Sequence, residues 1–297
     1  MYTSTITRDL QFVGNFKNGK VVGKFWLGLL NNGYLHGKVN EDGMATGNDI
    51  AYIYPDGVTA LKGNFVDKYM TETYEVQVET YRCNMKSGTL EVEAYSKPKS
   101  PLKYMYDPCT NTSFGGGPNK VRDPYEQKYL TLKDSNVVGS GSGVFAKTDL
   151  PKDRVASYYS LYLYRENDQV DLFNAACSQN TSKDNEYRRQ CNKYTIDLDT
   201  YDGTIALPPN LDIDPLPTLG PKVNHHFSLN NSIYMETEHP IWGLIIGVYP
   251  QVDLRKGEEL FTYYDYERTG QKDFPNDYPW YWEAKIQADR EKRLSKS

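Results

Sequence analysis

The stretch Gly37-Lys-Val-Asn-Glu-Asp-Gly43-Met-Ala-Thr-Gly47-Asn-Asp-Ile50-Ala-Tyr-Ile-Tyr54-Pro-Asp-Gly57 sets turn formers around a short alternating run. Its glycines recur at a fixed offset of 24 residues: Gly19 with Gly43, Gly23 with Gly47, Gly33 with Gly57. An earlier copy reads Gly14-x-Phe16-x-x-Gly19-x-x-x-Gly23, and a third, partial copy begins at Gly63-Asn-Phe65. Alternation over Ala51–Tyr54, with turns at Asn31–Gly33 and Pro55–Gly57, predicts successive β-hairpins. Glycine supplies positive φ at each turn, and aromatic or β-branched residues stack from one hairpin to the next. So short an array is marginal alone. It therefore leans on a following domain or lacks units in front of it. Such arrays serve as scaffold more often than as ligand site.

Outward from the array, strand-like pieces at Tyr74–Tyr81 and Thr89–Tyr95 give way to Lys97-Pro-Lys-Ser-Pro101 and Phe114-Gly-Gly-Gly-Pro118. These read as a connecting strand pair and a linker, with a boundary near Asp123-Pro-Tyr-Glu126. Residues 127–266 carry short strands between turns and little helical periodicity. The longest apolar run, Ile241–Tyr249, is too short to span a bilayer and reads as a buried strand. The one helix expected is C-terminal. Asp277 and Pro279 start it, and apolar residues fall at 282 and 286 and at 280, 284 and 288. The expected class is therefore mostly β: hairpin repeats over 1–73, connecting strands and linker over 74–120, a second β domain over 121–270, and a helical segment over 271–297.

At 297 residues the chain allows one large domain or two medium ones. The balance of 34 Lys+Arg against 39 Asp+Glu argues against a broad nucleic-acid face and disfavours a membrane-surface adaptor, but suits a basic peptide partner. Cys83, Cys109, Cys177 and Cys191 are scattered with no C-x-x-C pair. Reduced thiols in a nuclear or cytosolic setting, and no structural zinc, are expected. The first residues lack a basic region followed by an apolar one, so no secretory signal is expected. The basic tail Arg290–Ser297 reads as a solvated end.

Two further motifs carry chemistry. Asn224-His225 lies within Gly220-Pro-Lys-Val-Asn-His-His-Phe-Ser-Leu-Asn230, and Glu259-Leu260-Phe-Thr-Tyr-Tyr264-Asp-Tyr266 follows. Each is weak alone, since tyrosine occurs 26 times and Asn-His is a dipeptide. In this order, behind the glycine repeats, they resemble the paired motifs of the SET-domain protein-lysine methyltransferases. The hairpin spacing resembles MORN repeats, and Asp123-Pro-Tyr-Glu126 resembles the start of the catalytic domain in the MORN-repeat (Set seven/nine) type. The likeness runs from residue 11 to residue 290, apart from a stretch near 165–190. It implies a MORN array packed on a SET-domain β fold whose C-terminal segment threads under a loop as a pseudo-knot. It also implies S-adenosylmethionine as cofactor, a histone tail or other basic lysine motif as substrate, no metal, and no direct nucleic-acid or membrane partner. A monomer in nucleus and cytoplasm is expected.

Methyl transfer to lysine needs a methyl and a neutral amine in line, about 3 Å apart, in a dry channel. Burying the amine beside a sulfonium lowers its pKa and exposes the lone pair. A tyrosine-lined channel meets these needs. By resemblance, Tyr264 sits near the transferring methyl and Tyr266 walls the channel. Tyr234 limits how many methyl groups fit, here to one, and Tyr159 binds the amine. The cofactor would meet Ser140, Gly141, Ser142 and Gly143, then Asn224 and His225 largely through backbone, and Asn192. Trp280 either stacks on the adenine or packs as a helix-face core residue.

Several positions depart from the family pattern. Leu161 replaces a glycine, His226 and Leu229 replace Ser and Pro, Ser142 replaces an acidic residue, and Pro221 and Val223 alter the approach to Asn-His. Ile246 stands where a relative has lysine. Leu161 and Ile246 bear on substrate preference and rate. The alternative reading is a non-catalytic MORN/SET scaffold or peptide-binding protein.

Overall fold

A computed structural model describes residues 12–84, 89–101, 103–104, 122–137, 139–159, 162–165, 196–198, 203–206, 217–264 and 279–294. The repeats form one antiparallel sheet in chain order: β1 (Phe12–Lys17), β2 (Lys20–Gly28), β3 (Tyr34–Lys38), β4 (Gly47–Ile53), β5 (Thr59–Val66), β6 (Tyr69–Asn84) and β7 (Thr89–Tyr95). A short β8 (Lys103–Tyr104) pairs with β6. The β1–β2 connection is Asn18-Gly19 with φ of 51° and 77°, the two-residue turn whose twist matches the strands it joins. Not every repeat glycine serves a turn. Gly63 lies within β5, where a Cβ would sit 2.0 Å from the Glu72 carbonyl, so close strand approach demands it. Strand β6 runs through residue 73, so the sheet continues past the repeats proper.

The second half begins with α1 (Pro124–Tyr129), which the sequence reading left out. Asp123 caps it, accepting from the Tyr125 and Glu126 amides, and Pro124 opens it. Then come the hairpin β9 (Leu130–Asp134) and β10 (Ser142–Ala146), followed by β11 (Ser157–Tyr159). Strands β12 (Tyr162–Arg165), β13 (Ile196–Leu198) and β14 (Gly203–Ala206) form a small sheet ordered β12-β14-β13. After β15 (Asn224–His225), strands β16 (Ser232–His239) and β17 (Gly243–Pro250) join β11 in the order β11-β17-β16. The expected buried strand is thus β17. Strand β18 (Phe261–Thr262) pairs with β15, and α2 (Pro279–Leu294) closes the described chain.

The hairpin sheet and the second half share one core, which joins Tyr52, Tyr54 and Leu61 to Tyr125, Tyr158, Ile245 and Tyr249. Each buried ring removes ~150–250 Å² from water, and the hydroxyls must find partners. They do. Tyr52 and Tyr158 share a bond at 3.2 Å, Asn31 donates to Tyr52 at 2.8 Å, and Tyr54 donates to Asp123 at 2.6 Å. The Asn31 amide also reaches the Glu238 carbonyl, and the Met70 amide reaches the Pro240 carbonyl. His239 stands 4.8 Å from the rings of both Tyr52 and Tyr158. Burial pushes its imidazole down to about 3, so it is neutral. An array that would be marginal alone is thus completed by the half it packs on.

Burial pushes the Asp123 carboxyl up to about 6, and the bonds from Tyr54, Glu126 and Tyr125 offset only part of that cost. Burial pushes up the neighbouring Glu126 carboxyl as well, so the pair holds a proton in the folded chain at a pH where the unfolded chain has lost it. Its contribution is present below the unfolded pKa and is lost as pH rises through about 6. An Asp123→Asn variant keeps an acceptor for the helix cap but removes this titration. Its stability relative to the parent is expected to rise between pH 4 and pH 7. Urea melts at pH 4, 5, 6 and 7 that show a constant difference between the two would contradict the assignment.

The C-terminal helix begins at Pro279 as expected, but its buried stripe differs from the reading. Tyr281 is the fully buried residue, packed with Phe227 and Trp282, whereas Ile286 is 51% exposed. The first turn carries the buried ring, and further along Lys285 Nζ stands 5.7 Å over the Phe227 ring.

Candidate functional site

Two distant motifs meet through a pair of very short strands. β15 and β18 run parallel, with Asn224 opposite Phe261 and His225 opposite Thr262. The His226 amide continues the ladder to the Thr262 carbonyl. On the other limb of the same loop, Asn231 gathers the strand with backbone and side chain together. Its amide donates to the Phe261 carbonyl, its Oδ1 accepts from the Phe261 amide at 2.9 Å, and its Nδ2 donates to the Glu259 carbonyl at 2.8 Å. Residues 259–262 are thus bonded to both limbs of the 224–231 loop, as a pseudo-knot requires.

Three of the four expected tyrosines converge on this crossing. The Tyr159 and Tyr234 rings meet edge to face at 5.7 Å, and Tyr234 and Tyr264 stack at 6.4 Å with 21° between planes. The Tyr264 hydroxyl donates to the Val223 carbonyl at 2.6 Å, and Tyr234 points its hydroxyl at the same carbonyl from 3.5 Å. The Tyr264 amide donates to His225 Nδ1 at 3.1 Å, which places the imidazole proton on Nε2. Burial raises the Tyr234 phenol above its ordinary range, so it stays protonated. With its proton committed to Val223, the Tyr264 oxygen offers only lone pairs to anything else.

The glycine-rich loop closes the other side. Asn224 Nδ2 donates to the Ser142 carbonyl at 3.1 Å and to Glu259 Oε1 at 3.4 Å. Glu259 also accepts from the Ser135 hydroxyl at 2.6 Å and, through Oε2, from the Asn136 amide at 2.7 Å. Ser135 in turn donates its amide to the Gly141 carbonyl, and Ser140 folds back on the Val137 carbonyl at 2.9 Å. Gly143 makes this possible, because a Cβ there would lie 2.0 Å from Glu259 Oε1. Gly141, at φ +72°, has no heavy atom within 4 Å of where a Cβ would stand, so its backbone faces open space. Gly143 and Asn224 meet the Glu259 carboxylate directly, Ser142 is tied to it through Asn224 and Gly141 through Ser135, whereas His225 packs on the Tyr264 side.

That carboxylate was quoted in the tyrosine motif but given no role, and Asn231 was not singled out. Tyr281 was also missed; its ring lies 4.8 Å from His225 and backs it from the far side. The aromatic density of Trp280–Trp282 was the available signal. Tyr266, Asn192, Leu161 and the Trp280 side chain lie outside the described residues.

The family described as "Histone H3 K4-specific methyltransferase SET7 N-terminal" matches residues 16–85. The chain is 30% identical over 261 residues to the Halocynthia roretzi protein "Histone-lysine N-methyltransferase SETD7", covering 87% of this chain and 62% of the relative. Both findings support a SET7-type protein. The chain spans about three fifths of the length of that curated relative. Among solved structures, "ctPRC2 in an autoinhibited conformation bound to S-adenosylmethionine" and "Chaetomium thermophilum Polycomb Repressive Complex 2 bound to GSK126" are 19% and 20% identical. Each covers 46% of this chain with a TM-score of 0.32, and the matched part is 15% and 16% of theirs.

One departure from the family pattern has a structural account. His226 Nδ1 accepts from the Ser228 and Leu229 amides at 3.1 and 2.9 Å, the turn-capping role a serine hydroxyl plays. Burial lowers its pKa, which keeps Nδ1 free of a proton and able to accept. Ile246 is buried on β17 opposite Tyr159 and Glu236, so it packs beside the tyrosines.

Proposed function

We propose that this chain is a protein-lysine N-methyltransferase that uses S-adenosylmethionine and adds one methyl group to a lysine of a histone tail or other basic segment. The carrying observation is the tyrosine trio around the Val223 carbonyl, set against the Gly141–Gly143 loop clamped by Asn224. The residues suit the cofactor. Gly141 leaves open space where a side chain would stand, and beside it Asn224 Nδ2 and the Ser142 carbonyl present polar atoms. S-adenosylmethionine, when bound, supplies an electrophilic methyl on a sulfonium.

The chain's own residues do the rest. Ring faces of Tyr159, Tyr234 and Tyr264 hold an aliphatic lysine stem and exclude water. The Tyr264 oxygen, its proton tied to Val223, accepts from the amine and fixes its orientation. None of the three tyrosines acts as the base; Tyr234 in particular is held protonated. The amine therefore gives up its proton to solvent before it is enclosed. We place the protein as a monomer in nucleus and cytoplasm; sedimentation and imaging of a tagged copy test both.

The deciding experiment incubates purified protein with methyl-labelled S-adenosylmethionine and a mixture of histones and cell lysate. Label on lysine supports the proposal. Bound cofactor without transfer favours the scaffold reading instead.

Methyl number follows from Tyr234. The nitrogen of monomethyl-lysine must rotate to aim its lone pair, and rotation swings the first methyl toward the space a tyrosine hydroxyl fills. The parent is expected to stop at one methyl. Tyr234→Phe should gain dimethyl product with the first transfer changed less than about threefold, since its ring and the Tyr264 bond to Val223 both remain. Mass spectrometry of a lysine peptide after long incubation reads the outcome. Abundant dimethyl product from the parent would mean another residue sets the limit.

A further inference from the structure

Glu126 is a buried carboxyl group that the chemistry above does not use, held above the ordinary carboxylate range by burial and by Asp123. Its position reads at first as the third residue after a helix cap, where a glutamate usually turns back to the cap amide. Here it turns away. Oε1 accepts from the Tyr158 amide at 2.6 Å and the Ser157 hydroxyl at 2.8 Å, and Oε2 accepts from the Leu219 amide at 2.6 Å. The two amides belong to the two backbone segments on which the site is built. Tyr158 precedes Tyr159. Leu219 begins the turn Gly220–Lys222, in which the Val223 amide bonds back to Gly220 before its carbonyl receives Tyr264.

The two segments touch backbone to backbone. A Cβ on Gly220 would lie 2.4 Å from the Tyr158 carbonyl oxygen and 2.8 Å from Tyr159 Cα, so the side chain between them must be absent. Such contact fixes their nearest approach but not their alignment. A carboxyl group bonded to one amide on each segment fixes both.

We propose that Glu126 is a positioning residue: by bridging the Tyr158 and Leu219 amides it sets Tyr159 against the Val223 carbonyl that holds Tyr264. The inference rests on the methyltransferase reading for its effect on rate, though its geometric part does not. Glu126→Gln keeps one acceptor oxygen but presents an amide N–H₂ where the other oxygen stood. That nitrogen faces a backbone N–H, so one of the two amides loses its partner and the bridge opens.

Thermal melts first confirm that E126Q is folded. It is then expected to bind S-adenosylhomocysteine with a Kd within about twofold of the parent, and to keep the peptide KM, while kcat falls roughly 10–100-fold, as a misplacement of up to 1 Å does. Destabilisation alone would not split kcat from KM in this way. A crystal structure of E126Q should show the Tyr158 and Leu219 amide nitrogens farther apart and the Tyr264 bond to Val223 lengthened. If E126Q does not fold, Ser157→Ala removes one of the three donors and should show the same split at about threefold. A folded E126Q with parental kcat overturns the proposal, as does Ser157→Ala with parental kcat where E126Q fails to fold. If the parent transfers no methyl, the proposed activity fails, and the crystal structure alone decides. A bridge that opens with movement of Tyr264 then supports the positioning role, and superposable sites overturn it.

Discussion

A Tyr264→Phe enzyme is expected to bind S-adenosylhomocysteine with parental affinity and to turn over roughly 10²–10³-fold more slowly. The ring survives the change, so its stack on Tyr234 at 6.4 Å and its contact with His225 at 5.3 Å remain. The backbone bond from the Tyr264 amide to His225 also remains, because it does not involve the side chain. What goes is the hydroxyl at 2.6 Å from the Val223 carbonyl, and with it an oriented oxygen that could accept from the amine. Removing a single bond of this kind costs ~1 kcal/mol of stability, too little to confuse the result. An oxygen needed mainly at the transition state lowers kcat and leaves ground-state binding alone. Calorimetry and steady-state rates together check both halves. A fully active Tyr264→Phe enzyme would remove this tyrosine from the chemistry.

What the sequence discloses depends on the range of the interaction involved. The hairpins are legible because Asn18-Gly19 and the glycines at Gly43 and Gly47 solve local backbone problems, at φ of 51° and 77°, then 81° and 103°. The meeting of Asn224-His225 with Phe261-Thr262 has no such local signature. Two residues of parallel pairing leave no periodicity, so only the family resemblance foretold it. Glu126 and Glu259 were hidden for another reason. A carboxylate in a sequence reads by default as solvated, and nothing near Glu259 says that Gly143 leaves room for it. Asp123-Pro-Tyr-Glu126 did carry a helix-start signal, a capping residue with proline after it and glutamate at the third position. It was read as a boundary when it was also a helix. On α2 the pattern suggested a long apolar stripe, but full burial falls on Tyr281 while Ile286 is 51% exposed. Amphipathic spacing states where a helix has apolar residues, not which of them the body covers.

Gly143→Ala is expected to weaken cofactor binding strongly, through a clash rather than a lost contact. The added Cβ would stand 2.0 Å from Glu259 Oε1, and Glu259 cannot easily retreat. Its other oxygen is held by the Asn136 amide, and Oε1 itself is held by Ser135. Moving the carboxylate strands those donors and also breaks the bond it accepts from Asn224, the residue that bonds the Ser142 carbonyl. Breaking a buried carboxylate away from its partners costs about 3–5 kcal/mol, and part of that falls on the loop that would receive the cofactor. A loss of ~2–3 kcal/mol in affinity corresponds to a Kd raised roughly 30–150-fold. Gly141→Ala is the informative contrast. Its φ of +72° penalises any side chain, but no atom lies within 4 Å of the new Cβ. There the cost is backbone strain alone, about 1–2 kcal/mol, and Glu259 keeps all its bonds. Thermal melts and S-adenosylhomocysteine calorimetry on both variants separate the two effects. If Gly143→Ala melts and binds like Gly141→Ala, the Glu259 hub does not hold the loop, and the cofactor surface must be organised by other residues.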